Sequence, residues 1–361
     1  LFALLGVLLM LVVYTATDVL AGRSLDAELA RLEPQHGNLR VRTFVAPSVP
    51  AAENRAPLVS AAAALTVPPA SAAQKALSFG TTSDTDVVPP ALRAFVEQNR
   101  EAIEFAARIP TRPKASWDVD YGGGGAVPFL EVRNLSNVLY LNAMLELEGR
   151  RPDEAIRMIA IGLAASSSLN NEPQLIAQLV RMAIADRQVM AVHRILMQSE
   201  PSKAALESLA RWLKENRADP SRIGLESELA YGSTTLANME SGRSDLVGTQ
   251  FPGSRFGLRI VRPFVRLAHV RYLRNMDRLL TIQAGPRPRP AWESPKASFW
   301  SPMDNVVTGT FAGLARTVQS GDDYMSTIGA SEIAVALRRY KLDHGSYPGD
   351  LTALTPQYLD R

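Results

Sequence analysis

Residues 134–149, NLSNVLYLNAMLELEG, and residues 151–169, RPDEAIRMIAIGLAASSSL, decide the fold class. In both, apolar side chains recur every three or four positions, the period of an amphipathic helix and not the alternation of a half-buried strand. Gly149 separates the runs. Pro152, Asp153 and Glu154 open the second. Proline's fixed φ suits a first helical turn, and acids suit the positive end of the helix dipole. So short a connection predicts an antiparallel pair. Residues 174–198, QLIAQLVRMAIADRQVMAVHRILMQ, carry the same period and predict a third helix.

Outward from this centre the chain keeps reading as helix. Residues 91–109, ALRAFVEQNREAIEFAARI, follow Pro90 and place Leu92, Phe95, Val96, Ile103 and Phe105 near helical spacing. Pro110, Pro113 and Gly122 to Gly125 mark a loop before the central pair. Downstream, Pro201 and Pro220 each open a further helix, the latter behind Asp219 as its N-cap. Residues 256–283 form a helical run bent at Pro263. Two last helices are expected near 302–319 and 323–343, before a turn-rich end. No convincing strand emerges outside short pieces. The expected fold class is therefore mainly α, antiparallel helical hairpins with an N-terminal transmembrane helix and a short turn-rich C-terminal segment.

The N-terminus is different. Residues 1–17, LFALLGVLLMLVVYTAT, carry no charge, and Asp18 is the first charged residue. A spanning helix needs ~20 apolar residues, with ~17 as the lower limit. A membrane anchor is the leading reading. A signal peptide cleaved near Thr15-Ala16-Thr17 and a buried core helix are its rivals. Asp18, Arg23 and Asp26 carry little basic signal, which favours export of the remainder. Residues 19–33 continue as helix until Pro34. Pro47, Pro50, Pro57, Pro68, Pro69, Pro89 and Pro90 then interrupt residues 34–90, which read as an extended spacer making few contacts. A second linker spans 285–300, with Pro286, Pro288, Pro290 and Pro295. The expected organisation is an anchor and juxtamembrane helix (1–33), the spacer (34–90), a helical domain (91–284), the linker (285–300) and a C-terminal part (301–361).

Composition narrows the chemistry. A net charge of +3 over 361 residues exerts no global pull toward nucleic acid. With no cysteine there is no disulfide, thiolate catalysis or cysteine-ligated zinc. The four histidines, His36, His193, His269 and His344, are scattered, so no metal or other cofactor is expected. Gly122 to Gly125 lack the Lys-Ser/Thr pair of a phosphate cradle and read as a loop. Asp118 and Asp120 beside them lack companion oxygen ligands at loop spacing. Asp343, His344 and Ser346 share one short turn, which cannot hold a catalytic triad.

The most unusual stretch is 246–276, which contains no acid. Arg255, Arg259, Arg262 and Arg266, with His269 next, step by four, three, four and three along one helical face. Phe256, Leu258, Ile260, Val261, Phe264, Val265 and Leu267 supply an apolar face. A basic amphipathic helix of this kind meets an anionic membrane surface, binds an acidic partner, or pairs with carboxylates elsewhere in its own fold. Arg255, Arg259, Arg262 and Arg266 are the candidate anionic-surface contacts.

Two stretches resemble known families. Residues 134–168 resemble one tetratricopeptide hairpin: Ala143 and Ala155 are twelve apart, Gly149 lies at the turn, and Ala177 follows Ala143 at the repeat period of 34. Val189 stands at the companion position, and the other markers of the repeat do not recur. Tyr340, Asp343, Gly345, Tyr347 and Pro348, followed by Leu351 and Leu354, resemble the Tyr-Pro segment of type II secretion pseudopilins. Gly345 is expected at positive φ, Pro348 to stop the helix, and the two tyrosines to pack over the turn. The pilin processing motif Gly-Phe-Thr-Leu-x-Glu is missing. The order of parts, including the Pro-rich Val45 to Leu58, is similar to an uncharacterised group of bacterial membrane-anchored proteins, in which the tail continues into a small β element. By that resemblance the sequence looks truncated at both ends. It implies no activity. The functional expectation is a single-pass inner-membrane protein with its bulk in the periplasm, offering a helical surface to protein partners. An accessory component of a secretion or pilus-like machine and an enzyme with a dispersed site stand beside it. No nucleic-acid partner is expected.

Overall fold

The computed structural model describes residues 2–37, 39, 48–71, 87–119, 127–241, 261–287, 289–290, 293 and 302–360. Among these, every regular element is a helix, and the one extended pairing is an isolated parallel bridge between Asn54 and Lys114. The chain divides into two interleaved units, residues 1–44, 173–175 and 221–319 in the first, and residues 45–172, 176–220 and 320–361 in the second.

The first unit contains α1 (Phe2–His36), α9 (Pro220–Glu240), α10 (Arg262–Ala284) and the first part of α11 (Pro302–His344). Leu25, Leu29 and Leu32, at three- and four-residue steps on α1, bury against Leu225 and Leu229 of α9 and Leu273, Met276 and Leu280 of α10; Phe311 and Leu314 of α11 complete the core. α1 and α10 run parallel, because Asp18 pairs with Arg262 at one end and Arg31 with Asp277 at the other. Pro34 does not end α1. It occupies the last turn, and the helix closes three residues later at Gly37, whose φ of +74° and N–H to Glu33 O (2.8 Å) form a left-handed cap. Pro263 does not bend α10; it lies in its first turn, where a missing N–H costs nothing.

The second unit holds α2 (Ala56–Ala64), α3 (Pro90–Gln98), α4 (Arg100–Ala106), a 3-10 turn (Ile109–Thr111), α5 (Phe129–Glu148), α6 (Pro152–Ser167), α7 (Leu175–Gln198), α8 (Lys203–Glu215), the rest of α11 and a last 3-10 turn (Leu351–Leu354). α5 and α6 are the expected pair. The chain reverses through Gly149 to Arg151, with Arg150 at φ 56°, and Ala143 and Ala155 are fully buried where the helices meet. α8 starts at Ser202, whose hydroxyl accepts from Ala205 N.

The stretch expected as a spacer is corrected by α2. Ala56, Val59, Ala62 and Ala63 lie in the core with Leu92, Leu135 and Leu139. Asn54 fixes the helix start: its side-chain Oδ1 accepts from Ala56 N (3.1 Å) and Ser116 N (3.0 Å), and its Nδ2 donates to Ser116 O (2.8 Å). Pro57 falls in the first turn, so it initiates rather than breaks. At the far end Val67 N donates to Asn99 Oδ1 (2.7 Å). Residues 38, 40–47 and 72–86 of the stretch lie outside the described residues, as does most of 285–300.

Two further expectations change. The run after Pro90 is broken at Asn99, whose amide caps back onto Phe95 O (2.8 Å). The two last helices are one: α11 passes through Gly321 without interruption, since an internal glycine costs only ~1 kcal/mol against alanine. Beyond α11, Gly345 has the expected positive φ of +77°. The chain turns back so that Leu354 and Tyr358 bury against Ala336. Tyr340 stacks on His344 and meets Tyr358 edge-on at 5.7 Å. Tyr347, expected to share that packing, is half exposed under Lys341.

Candidate membrane-interface site

On α10 the four- and three-residue steps place Arg262, Arg266 and His269 on one face. That face meets α1 and α9, both of which carry acids. Arg262 grips Asp18 with two N–H groups, its Nε at 3.1 Å from Oδ1 and its Nη2 on Oδ2. Arg266 bridges two helices: its Nη1 lies 3.0 Å from Asp18 Oδ1 and donates to the Asp18 carbonyl (3.0 Å), while its Nε reaches Glu240 Oε2 (3.4 Å). The Asp18 side chain is 9 % exposed, that of Arg266 24 % and that of Arg262 41 %. Hydrogen bonding to Asp18 holds the Arg262 guanidinium above its ordinary pKa. Two cations thus meet two anions, and the partners of Arg262 and Arg266 are carboxylates of their own fold. Arg255 and Arg259 lie outside the described residues.

The ladder continues along α1 and α10. Glu28 accepts from Arg274 Nε (2.6 Å) and Arg31 Nε (3.0 Å), and Arg31 Nη1 donates to Asp277 Oδ2 (2.9 Å). Burial pushes the Glu28 carboxyl up, but the Arg274 and Arg31 hydrogen bonds outweigh it and bring it below its ordinary value.

Beside Arg266 lies a polar row that sequence reasoning missed. Ser233 Oγ stands 2.9 Å from His269 Nε2, and His269 Nδ1 stands 3.0 Å from Glu240 Oε1. The order is that of a nucleophile, a base and an orienting acid. Ser233 and His269 are, however, fully buried. A fully buried hydroxyl does not meet a substrate from solvent, and the row ties α9 to α10. Its only sequence signal is the spacing of Ser233 and Glu240, seven residues and two turns apart on one face of α9.

At the N-terminal end of α10, Pro263 and Phe264 join Leu9, Met10, Val13, Tyr14 and Thr17 of α1 around an almost wholly apolar groove of about 340 Å³. Phe264 remains nearly half exposed in the groove, and Leu267, further along α10, about two-fifths exposed.

The other sequence candidates do not converge. Asp118 is an exposed loop acid, while Asp120 and Gly122 to Gly125 lie outside the described residues. Asp343 accepts from Tyr358 Oη (2.8 Å) and Lys203 Nζ (2.5 Å), and His344 Nδ1 turns to Tyr340 O (3.1 Å). Neighbours on the helix end thus face different partners. Among the described residues no three His, Asp or Glu side chains gather as a metal site would require. Compared with protein-family models, characterised proteins and solved structures, the chain matches none.

Proposed function

We propose that the protein is a single-pass, non-catalytic envelope protein, held in the inner membrane by α1 and offering a helical surface to protein partners on the periplasmic side. One observation carries the reading: α1 changes surroundings past Leu20 without a break in the helix. Before Asp18, Phe2, Leu4, Leu5, Val7 to Leu9 and Leu11 to Val13 are all exposed, Phe2 by 89 %. After it, Ala21, Leu25, Leu29 and Leu32 are buried. In water the first set would form a large apolar column. In a bilayer the same side chains contribute about −3 to −5 kcal/mol together. The weak basic signal of Asp18, Arg23 and Asp26 favours export of the remainder.

The interaction role is supported by α7, whose Ile176, Leu179, Met190 and Met197 stay exposed along one face. Methionine suits adaptable contact surfaces. The α5–α6 pair resembles a tetratricopeptide hairpin in its Ala143 and Ala155 spacing, and hairpins of that kind present such faces. The second reading, an accessory component of a secretion or pilus-like machine, rests on the resemblance of Tyr340 to Leu354 to the pseudopilin Tyr-Pro segment, and is supported by a tail that folds back at Gly345 to bury Leu354.

Alkaline carbonate washing of membranes tests the anchor: the full-length chain should stay in the pellet, and its release would overturn the reading. Protease added to spheroplasts should digest the helical body, and protection would place it on the other side. Affinity capture from solubilised membranes separates the two roles: secretion-machine subunits should dominate only under the second.

A further inference from the structure

We propose that the first turn of α10 is a second foothold in the bilayer, immersed at the boundary between headgroups and acyl chains beside the spanning helix. This rests on the anchor reading above and adds to it the part of the folded body that meets lipid.

The geometry sets a common level for the two helices. They run parallel, and Asp18, the first charge of α1, is paired with Arg262, the first residue of α10. On the membrane side of that pair α1 carries no charge. Helical side chains lean toward the N-terminus of their helix. Pro263 and Phe264 accordingly reach back to the turns of α1 holding Met10, Val13 and Tyr14. Those residues lie four to eight positions before Asp18, about 6–12 Å along the axis toward the membrane interior. Interfacial apolar groups bury at ~5–10 Å into the headgroup and acyl boundary.

The exposure pattern fits that depth. Phe264, beside the apolar side chains of the groove, is 46 % exposed and Leu267 40 %, on a helix whose opposite face is core. Together with the open groove they extend the apolar surface of α1 sideways. Water gains nothing there, whereas the upper methylenes of a phospholipid chain fill the groove. The Asp18–Arg262 pair would then lie at phosphate level, with Tyr14 in the layer where aromatic rings with a polar tip concentrate. Because Arg262 and Arg266 already hold Asp18 and Glu240, the foothold is apolar rather than electrostatic. It should not depend on anionic lipid.

The chain has no cysteine, so single labels can be placed directly. Leu9→Cys, Phe264→Cys, Leu267→Cys and Thr281→Cys variants of the full chain would be spin-labelled and reconstituted into phosphatidylcholine vesicles. Collision rates with oxygen and with a water-soluble nickel chelate would be compared. The label at 264 should show an oxygen-to-nickel ratio several-fold above that at 281 and below that at 9, with 267 between 264 and 281. The order should persist when a third of the lipid is phosphatidylglycerol. An aqueous ratio at 264 and 267 with a lipid ratio at 9 would overturn the foothold alone. An aqueous ratio at 9 as well would overturn the anchor. Immersion only with phosphatidylglycerol would reject the apolar foothold in favour of guanidinium attraction. The label at 267 keeps the test decisive if substitution at 264 disturbs the helix.

Discussion

Arg55 lies in the stretch that composition marks as a spacer, and replacing it with Leu should loosen the core of the second unit. Its side chain is 2 % exposed. It donates to Ser167 Oγ (3.0 Å) and Pro113 O (2.8 Å), pairs with Glu215, and lies 5.0 Å from the Trp212 ring centroid. Removing one member of a buried pair costs about 3–5 kcal/mol. Here the low end applies, because Glu215 keeps 31 % of its side chain exposed and can turn to water. The Arg55 Nε is buried without a hydrogen bond, so its loss returns about 1 kcal/mol. The net destabilisation is about 2–3 kcal/mol, a roughly 30- to 150-fold rise in the open population. Hydrogen exchange read by mass spectrometry on peptides covering α2 should speed up by that factor in the full-length detergent-solubilised protein. Arg55→Lys should fall between, since an ammonium keeps the charge but cannot make the same set of contacts. Exchange within about twofold of the parent in Arg55→Leu would refute the reasoning and return α2 to the status of a loose spacer.

Four other outcomes are expected. A Cβ at Gly232 would run into the Tyr272 hydroxyl and ring, which are held by Glu228 O and by Phe311, so Gly232→Ala should cost about 1–3 kcal/mol and lower the melting temperature. Gly313→Ala, where a Cβ meets open space, should instead gain up to ~1 kcal/mol. Burial, with Asp323 nearby, pushes the Asp186 carboxyl up from 3.8 to about 6, so the folded state keeps a proton that the unfolded chain releases. Stability therefore falls as pH rises between those values, and Asp186→Asn should raise the melting temperature at about pH 7.5 while changing it little at about pH 3.5. Leu354→Ala should remove about 2–4 kcal/mol from the small tail cluster and expose residues 351–360 to limited proteolysis while the body resists.

Local rules are legible in the chain itself. The three- and four-residue apolar steps of 134–169, the reversal at Gly149, Pro152 in a first turn and the positive φ at Gly345 each depend on a few neighbouring residues. So does the uncharged length of 1–17. Where sequence reasoning fails, the deciding quantity is position within an element or a partner far along the chain. Proline reads as a breaker until its place in the helix is known; Pro57 and Pro263 start helices, and Pro34 sits in a last turn. Asn99 splits a continuous pattern, while Gly321 leaves one intact.

The sequence by itself determined that the chain is helical, that its first residues are apolar enough to enter a membrane, and that an acid-free arginine face exists. Those properties follow from side-chain polarity and backbone preference, which act within a turn or two. The tertiary structure alone decided what that face meets. Arg262 and Asp18 are separated by 244 positions and become neighbours only because α1 and α10 pack in parallel. Ser233, His269 and Glu240 form a row only because α9 lies beside α10. Electrostatic and apolar contacts depend on distance in space, and chain folding sets that distance through the burial of Leu25, Leu29, Leu32 and their partners.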